Sequence, residues 1–209
     1  MWRWLTLLWT LLVLYPNPLM LYVSVQRAWS PPVDPQAVRH LAEKLPDQPR
    51  AIEAAVNTTL VPYAVPWEIQ GVPWYFPSAA EVLESGRGDC QGRAVVLASI
   101  LQAKGISYRF VGSFDHLWID YPGKHATVLE NPSAAVVMQQ PDRSYHFKWP
   151  QLVDWRQSWD IERAYFWDKM PAWRCWLMLG GWLVLAFGRI SWRKPADMLI
   201  AAWHPNANL

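Results

Sequence analysis

Residues 86–94 read Gly-Arg-Gly-Asp-Cys-Gln-Gly-Arg-Ala and place a cysteine at the start of an apolar run. Asp89 belongs to the residue types that cap a helix N-terminus, and Gly105 stands where a terminating glycine is expected. The pattern therefore predicts a helix over 90–104 with Cys90 in its first turn. Because the positive end of the helix dipole favours thiolate over thiol, this position suits a nucleophilic cysteine.

A histidine opens an apolar strand pattern farther along the chain. Residues 116–121 read His-Leu-Trp-Ile-Asp-Tyr, and the segment between the cysteine helix and His116 leaves room for one strand and a tight turn. An imidazole near the thiol can stabilise the thiolate and act as general base and acid. A cysteine in an Ala/Val/Leu helix is by itself more often a small core residue. The cysteine and the histidine together indicate a nucleophile with its base.

Four consecutive motifs resemble the transglutaminase-like superfamily. They are Gly-Asp-Cys, an Ala/Leu-rich helix, Gly-Ile-x-x-Arg, and His-x-Trp at the start of a strand, and they fall within residues 80–133. The resemblance implies an α+β, papain-like core in which the cysteine helix packs on a small antiparallel sheet. It also implies a Cys–His–Asp or Cys–His–Asn triad. Members include transglutaminases, peptidases, amidases and catalytically inactive relatives.

The resemblance assigns site residues by their place in these motifs. Cys90 matches the nucleophile and His116 the base. The third member usually lies on the next strand, just before Pro-Thr or a similar pair. Asn131 precedes Pro132-Ser133, which makes Asn131 the orienting residue and Glu130 the alternative. An Asn side chain can accept a hydrogen bond from the imidazole and fix its tautomer, as the Asn of papain-like proteases does. The family more often has Asp at this position.

The oxyanion site needs two hydrogen-bond donors. The backbone N–H of Cys90 lies at the predicted helix N-terminus and can be one of them. The second is expected from an upstream side chain, for which Trp74 is preferred over Tyr75 and Gln70 because relatives often use an aromatic N–H or O–H.

Composition limits the other classes of function. The two cysteines differ in setting, since Cys175 lies in an apolar run, so no disulfide and no redox motif are expected. Neither Cys-x-x-Cys nor His-Glu-x-x-His spacing occurs, so no metal and no cofactor are predicted. A formal net charge of +2 without a basic run gives no indication of nucleic-acid binding.

Turn signals and apolar patterns divide the middle of the chain into short elements. Asp34 before Pro35 predicts a capped helix, and Ser78-x-x-Glu81 is a capping box. Helices are predicted over 35–45, 50–57 and 78–84, and strands over 108–111, 117–121, 126–129, 135–139 and 143–148.

An uncharged apolar segment precedes the predicted domain. It covers residues 4–26 and is long enough to cross a bilayer, although Pro16 and Pro18 should break a helix there. A cleaved signal peptide is the alternative. A single basic residue before the segment and the lack of an Ala-x-Ala site favour an uncleaved anchor.

A shorter uncharged segment follows the predicted domain. Residues 175–188 are marginal for a span, and an interfacial or core helix is the alternative. Snorkelling by Arg174 and Arg189 would lengthen it, and many of the sixteen tryptophans lie near the two apolar segments, as in an aromatic belt. The predicted domains are a transmembrane anchor (1–29), a transglutaminase-like domain (30–170), a second transmembrane helix (171–194) and a short tail (195–209).

These patterns predict a protein of the cell membrane that acts on amide bonds. The distribution of basic residues places both termini in the cytoplasm and the catalytic domain outside it. Cys90 would attack an amide of a protein or peptide substrate and form an acyl-thioester, and water would complete a peptidase or amidase reaction. The alternatives are a crosslinking transamidase, in which an amine replaces water, and a catalytically inactive binding or assembly module.

Overall fold

A computed structural model describes residues 2–125, 127–140, 144–151 and 153–203, with side chains up to residue 188 in the last helix. The chain forms two compact units: Met1–Pro18 with Met170–Leu209, and Leu19–Lys169. The predicted domain over 30–170 corresponds to most of the second unit, which also includes nearly all of the helix before residue 30.

The described chain consists of short helices, one buried central helix, one long helix near the C-terminus and one sheet. The helices are α1 (Trp2–Leu14), α2 (Pro18–Trp29), α3 (Arg39–Lys44), α4 (Pro49–Ala55), α5 (Pro66–Ile69), α6 (Ala79–Ser85), α7 (Cys90–Ala103), α8 (Trp155–Glu162) and α9 (Ala172–Trp203). Two π-helical turns, Val56–Leu60 and Arg163–Trp167, continue α4 and α8. The strands are β1 (Arg109–Gly112), β2 (Leu117–Asp120), β3 (Val137–Gln139) and β4 (Tyr145–Phe147). The predicted α+β class is confirmed.

The cysteine helix α7 lies at the centre of the larger unit. The Asp89 side chain accepts a hydrogen bond from the Gly92 N–H at 3.0 Å, and Gly105 follows the helix with φ +69°, as the sequence predicts. The side chains of residues 94–101 are buried, and Val95, Val96, Ile100 and Leu101 are fully enclosed. Elements α3, α4, α6 and β2 pack around it. The helix is therefore buried on all sides, which is why its sequence shows no polar face.

The sheet is antiparallel with strand order β2-β1-β3-β4. Successive side chains of a strand point to opposite faces. Phe110 and Ile119 accordingly join the core around α7, whereas Val111 and Trp118 form a smaller cluster with Ala135 on the other face. Because β2 lies against α7, the start of this strand meets the first turn of the helix.

One predicted strand does not form. Residue 126 lies outside the described residues, residue 127 has no regular structure, and 128 and 129 make bends instead of a ladder. The Glu130 N–H donates to the Thr127 Oγ1 at 3.2 Å. This local bond offers the backbone an alternative to strand pairing, which is the known effect of Thr in such positions. Of the strand predicted over 143–148, residue 143 also lies outside the described part and β4 occupies 145–147.

The first predicted helix begins later than expected. Asp34 Oδ1 accepts hydrogen bonds from the N–H groups of Gln36 and Ala37, so the predicted cap is present. Residues 35–38 nevertheless make turns, and α3 begins at Arg39. The capping box at Ser78 is confirmed in full, with the Ser78 and Glu81 side chains each accepting from the other's backbone N–H.

The smaller unit contains two apolar helices that run antiparallel. Arg174 near the start of α9 donates to the carbonyls of Val13 and Leu14 at the end of α1, at 3.1 and 3.0 Å. One helical turn farther, the Trp9 indole donates to the Leu177 carbonyl at 3.1 Å. The Trp182 indole donates to Thr10 Oγ1 at 2.9 Å. The indole N–H groups thus join the two helices along their length.

The prolines interrupt the first apolar segment as predicted, because α1 ends at Leu14 and α2 begins at Pro18. Among the residues that the structure describes, no single helix is both long and apolar enough to span a membrane. Two pairs of consecutive helices reach the required length and composition only together, across a bend: α1 with α2, and the helical segment 155–167 with the described part of α9.

Two adjacent glycines of α9 give a matched test of the helix pair. A Cβ on Gly181 would overlap the Trp9 indole, whereas a Cβ on Gly180 would meet no atom within 4 Å. Gly181→Ala should therefore loosen α1 from α9 and accelerate amide exchange in α1, measured by hydrogen-exchange mass spectrometry of the full chain in detergent. Gly180→Ala should leave α1 exchange unchanged, because the added Cβ would contact no atom within 4 Å. Within α9, Ala is about 1 kcal/mol more favourable than Gly. Equal exchange in the two variants would contradict this packing.

Candidate functional site

The loop before α7 fixes the position of Cys90. Tyr63 and Gly88 form an isolated parallel bridge, in which the Ala64 N–H donates to the Gly88 carbonyl and the Gly88 N–H to the Pro62 carbonyl, both at 3.1 Å. A Cβ on Gly88 would lie 3.2 Å from Val61 Cγ1, so the close approach favours glycine. These contacts fix the direction in which the chain enters α7, whose first residue is Cys90.

A tight turn between β1 and β2 positions His116. The Ser113 N–H donates to the His116 carbonyl at 2.8 Å, and the His116 N–H donates to Ser113 Oγ at 3.1 Å. The Ser113 hydroxyl donates to Asp115 at 2.6 Å, which closes the turn that the sequence predicted. The imidazole lies nearly parallel to the Trp118 ring, with the ring centroids 6.0 Å apart.

The cysteine helix and the histidine strand meet at the sulfur atom. The Cys90 thiol accepts a hydrogen bond from the backbone N–H of Leu117, the residue after His116. Two residues that the sequence proposed as nucleophile and base thus lie on elements that contact each other at the nucleophile. This contact follows from the packing of β2 on α7.

The ionisation of Cys90 differs from the expectation based on the helix dipole. Burial and the charge of Asp89 raise the pKa of the Cys90 thiol to about 12, although the backbone N–H groups of Leu117, Gln91 and Cys90 itself lower it. The resting thiol is therefore protonated at neutral pH. A helix N-terminus favours the thiolate only if the loss of hydration is smaller than the gain, and here it is larger.

The adjacent carboxyl group of Asp89 is almost fully enclosed, with 2% exposure. Burial raises its pKa, while hydrogen bonds from the Tyr165 hydroxyl, at 2.6 Å, and from backbone N–H groups such as that of Gly92 lower it. The net pKa of Asp89 lies above its ordinary value. Asp89 therefore has two roles: it caps α7 and it opposes ionisation of the neighbouring thiol.

Two tyrosines beside Cys90 were not identified from the sequence. Burial raises the pKa of Tyr165, and so do the charges of Asp89 and Cys90. Partial burial and the charges of Cys90 and Asp89 also raise the pKa of Tyr63, although 55% of this residue is exposed, so both phenols stay protonated near neutral pH. The bridge to Gly88 brings Tyr63 here, and the Trp67 indole, which donates to the Phe166 carbonyl at 2.9 Å, holds the turn that carries Tyr165. No local pattern marks either residue.

The two candidates for the third site residue have different partners. Glu130 Oε1 lies 3.7 Å from His116 Nε2, within ion-pair distance but longer than a hydrogen bond. Asn131 Oδ1 instead accepts the Ser133 N–H at 2.9 Å and closes a turn. The structure therefore brings Glu130, the alternative, to the imidazole. Asn131 lines a separate cleft of about 180 Å³ with Ser113 and other residues.

The carboxylate of Glu130 is kept ionised by its surroundings. Burial raises its pKa, but the nearby His116 imidazole and the charge of Lys124 lower it more, so the pKa of Glu130 lies below its ordinary value. A negative group at Nε2 leaves Nδ1 as the nitrogen that can exchange a proton with a thiol.

Trp74, the proposed second oxyanion donor, packs partly buried against the core around α7. Its role stays a prediction, as do the roles of the other site residues. In the described part of the chain, no three side chains of His, Cys, Asp and Glu are grouped so as to bind a metal ion.

Comparison with known proteins links this site to one family. A model of the transglutaminase-like superfamily matches residues 36–184, which include the cysteine, the histidine and both candidates for the third residue. No curated protein and no solved structure matches the chain.

The raised thiol pKa can be tested by alkylation. In a Cys175→Ser background, the rate of iodoacetamide reaction at Cys90 should rise about tenfold per pH unit from about pH 7 to pH 10, because the thiolate fraction grows tenfold per unit below the pKa. The rate is measured by mass spectrometry of the folded protein in detergent. A rate that is already constant above pH 7 would indicate a preformed thiolate and contradict the expectation.

Asp89→Asn is the matching variant in the same series. It keeps a good helix cap but removes the charge that raises the thiol pKa, so Cys90 should react several-fold faster at pH 9. Asp47→Asn, at an exposed position, should leave the rate unchanged.

Proposed function

The chain belongs to the transglutaminase-like superfamily, and we propose that it is a cysteine hydrolase of amide bonds. Cys90 is the nucleophile, His116 the base and Glu130 the residue that orients the imidazole. The observation that carries the proposal is the hydrogen bond from the Leu117 N–H to the Cys90 sulfur, because it joins the nucleophile to the strand that begins beside the base.

The reaction begins from a neutral thiol. His116 takes the proton from Cys90 as the sulfur attacks the amide carbonyl carbon, since a buried thiol of raised pKa does not lose its proton in advance. The tetrahedral oxyanion collapses, the C–N bond breaks, and the imidazolium gives its proton to the departing amine. An acyl-thioester remains on Cys90.

Water completes the cycle in a second attack. His116 takes a proton from the water molecule as its oxygen adds to the thioester carbon. The C–S bond then breaks, and the sulfur regains a proton from the imidazolium. The products are a carboxylic acid and the free enzyme. The ionised Glu130 stabilises the imidazolium that forms in both halves of the reaction.

Two donors are available for the oxyanion of the tetrahedral intermediate. The backbone N–H of Cys90 lies at the N-terminus of α7, where the helix leaves its first N–H groups unpaired. The Tyr63 phenol is a second candidate beside Trp74, because burial and the charges near Cys90 keep it protonated.

A binding module of the same fold is the second candidate function. The raised pKa of Cys90 favours it, because the resting site has no preformed thiolate. In that case Cys90 would serve packing and the Asp89 cap would serve only the helix.

Acylation of Cys90 distinguishes the two functions. The full chain in detergent is incubated with peptides that contain both backbone and glutamine side-chain amides, and hydroxylamine is added to trap the thioester. Wild type should form hydroxamates and release amine, and Cys90→Ala should reduce both to background. Cys175→Ala is the matched control and should retain activity. A folded wild-type protein that forms no acyl-enzyme with any peptide across pH 6–10 would favour the binding module.

We also propose that the smaller unit anchors the protein in the cell membrane, with the catalytic unit outside the cytoplasm. The α1/α9 pair leaves Leu8, Leu12, Leu183 and Val184 exposed, and an apolar groove of about 870 Å³ runs between the helices. Lipid around the pair would cover this apolar surface.

The anchoring proposal predicts resistance to extraction. The protein should stay in the membrane pellet after alkaline carbonate treatment, and a reporter fused after Leu209 should report a cytoplasmic position. Release of the protein by carbonate would contradict anchoring, whereas an extracytoplasmic reporter would contradict only the orientation.

A further inference from the structure

A buried lysine lies behind the His116–Glu130 pair. The Lys124 side chain is 4% exposed, and its Nζ lies 2.5 Å from Glu53 Oε1 and 3.0 Å from Glu130 Oε2. Glu53 also accepts a hydrogen bond from the Tyr121 hydroxyl at 2.5 Å. An ammonium group this enclosed needs paired and hydrogen-bonded partners, and the two carboxylates provide them.

Three separate parts of the chain contribute to this network. Glu53 lies on α4, Lys124 follows the turn at Gly123, which has φ +82°, and Glu130 follows the bend at Thr127. The Lys124 N–H donates to the Tyr121 carbonyl at 3.1 Å, which closes the turn and directs the chain back under β2. Residues 121–130 thus place one cation between the end of the histidine strand and α4.

The network determines the charge state of Glu130. Burial acts to protonate this carboxyl group, and in the described chain His116 and Lys124 oppose that effect. Lys124 Nζ lies between the carboxylates of Glu130 and Glu53. Without it, the two carboxylates would face each other with no cation between them. Like charges in such a site favour protonation of one of the pair.

We propose that Lys124 is a positioning residue: bridged to Glu53, it keeps Glu130 ionised and turned toward His116. This inference rests on the proposed function, since it assigns Glu130 to the orientation of the imidazole. Lys124 contacts no reacting group itself. Its effect on Cys90 passes through Glu130 and then through His116 Nε2.

Other groups face the network and take part in its charge balance. Lys124 Nζ also lies 5.4 Å from the centre of the Tyr121 ring. The charge of Arg50 acts to lower the pKa of the Tyr121 hydroxyl. Tyr121→Phe removes the hydrogen bond from the Tyr121 hydroxyl to Glu53. It alters the packing of the network only slightly and leaves all three charges in place. It is therefore the control for structural effects.

Two substitutions should shift Glu130 in opposite directions. Lys124→Met removes the cation at nearly constant volume, so the pKa of Glu130 should rise by about 1–3 units. Glu53→Gln removes the second carboxylate, so the pKa of Glu130 should fall. The measurement is a ¹³C-carboxyl NMR titration of the full chain in detergent, with the Glu130 resonance assigned from Glu130→Gln.

The tautomer of His116 gives a readout that a purely structural lysine would not change. ¹⁵N shifts of the imidazole should report Nε2–H in the neutral wild-type ring, because the ionised Glu130 carboxylate lies near Nε2 and favours a proton there. In Lys124→Met, at a pH where Glu130 has become protonated, this preference should be lost. In Tyr121→Phe it should be retained.

The outcomes separate the two proposals. If Lys124→Met does not fold, the titration of Glu53→Gln and of the double variant decides, since restoring the charge balance should restore the fold. An unchanged Glu130 titration in folded Lys124→Met, or the same shift in Tyr121→Phe, would overturn the positioning role. Failure of Cys90 to form an acyl-enzyme, with the Glu130 shift as expected, would overturn the hydrolase function alone.

Discussion

The burial of α7 over residues 94–101 is the constraint on which the other elements depend. A helix with no polar face must be covered on every side, and α3, α4, α6 and the sheet cover it. Its N-terminal turn carries Cys90 and the Asp89 cap, where the apolar core gives way to ionisable groups. The packing of β2 on the same helix brings the histidine strand to that turn. Stability and site geometry therefore have the same origin.

Burial also sets the electrostatics of the site. The dipole of α7 favours a thiolate, but enclosure of the sulfur and the adjacent Asp89 carboxyl group outweigh it. On the opposite side of His116, enclosure of Glu130 is compensated by Lys124, so that carboxylate remains charged. One buried acid thus opposes ionisation of Cys90, while the other stays ionised 3.7 Å from His116. In the proposed reaction, this arrangement favours proton transfer during the attack rather than before it.

Local signals in the sequence identified the elements whose structure is locally determined. The helix over 90–104 and the capping box at Ser78 were predicted correctly because their caps lie within a few residues of the groups they satisfy. The strand predicted over 126–129 was not predicted correctly. The Thr127 side chain accepts the Glu130 N–H, and this local hydrogen bond replaces the strand pairing that the apolar pattern predicted. Val128 and Leu129 are exposed as a result.

The residues missed at the site are those brought in by long-range packing. Tyr165 reaches Asp89 across 76 positions of sequence, and Lys124 reaches Glu53 across 71, so no spacing rule could join them. The choice between Glu130 and Asn131 was equally beyond the sequence. The side chains of adjacent residues in a bend point in different directions. The Asn131 side chain accepts the Ser133 N–H and so closes a turn.

The return of the chain at Tyr165 also indicates how far a fragment of the larger unit must extend. The last residues of the larger unit are fastened by the Tyr165–Asp89 hydrogen bond, the Trp67–Phe166 contact and the Lys169–Glu68 ion pair at 2.7 Å. A fragment cut before these residues would leave an enclosed carboxyl group without its phenolic donor, directly beside the thiol. The C-terminal boundary of the fold is therefore chemical as well as topological, and it lies after Lys169.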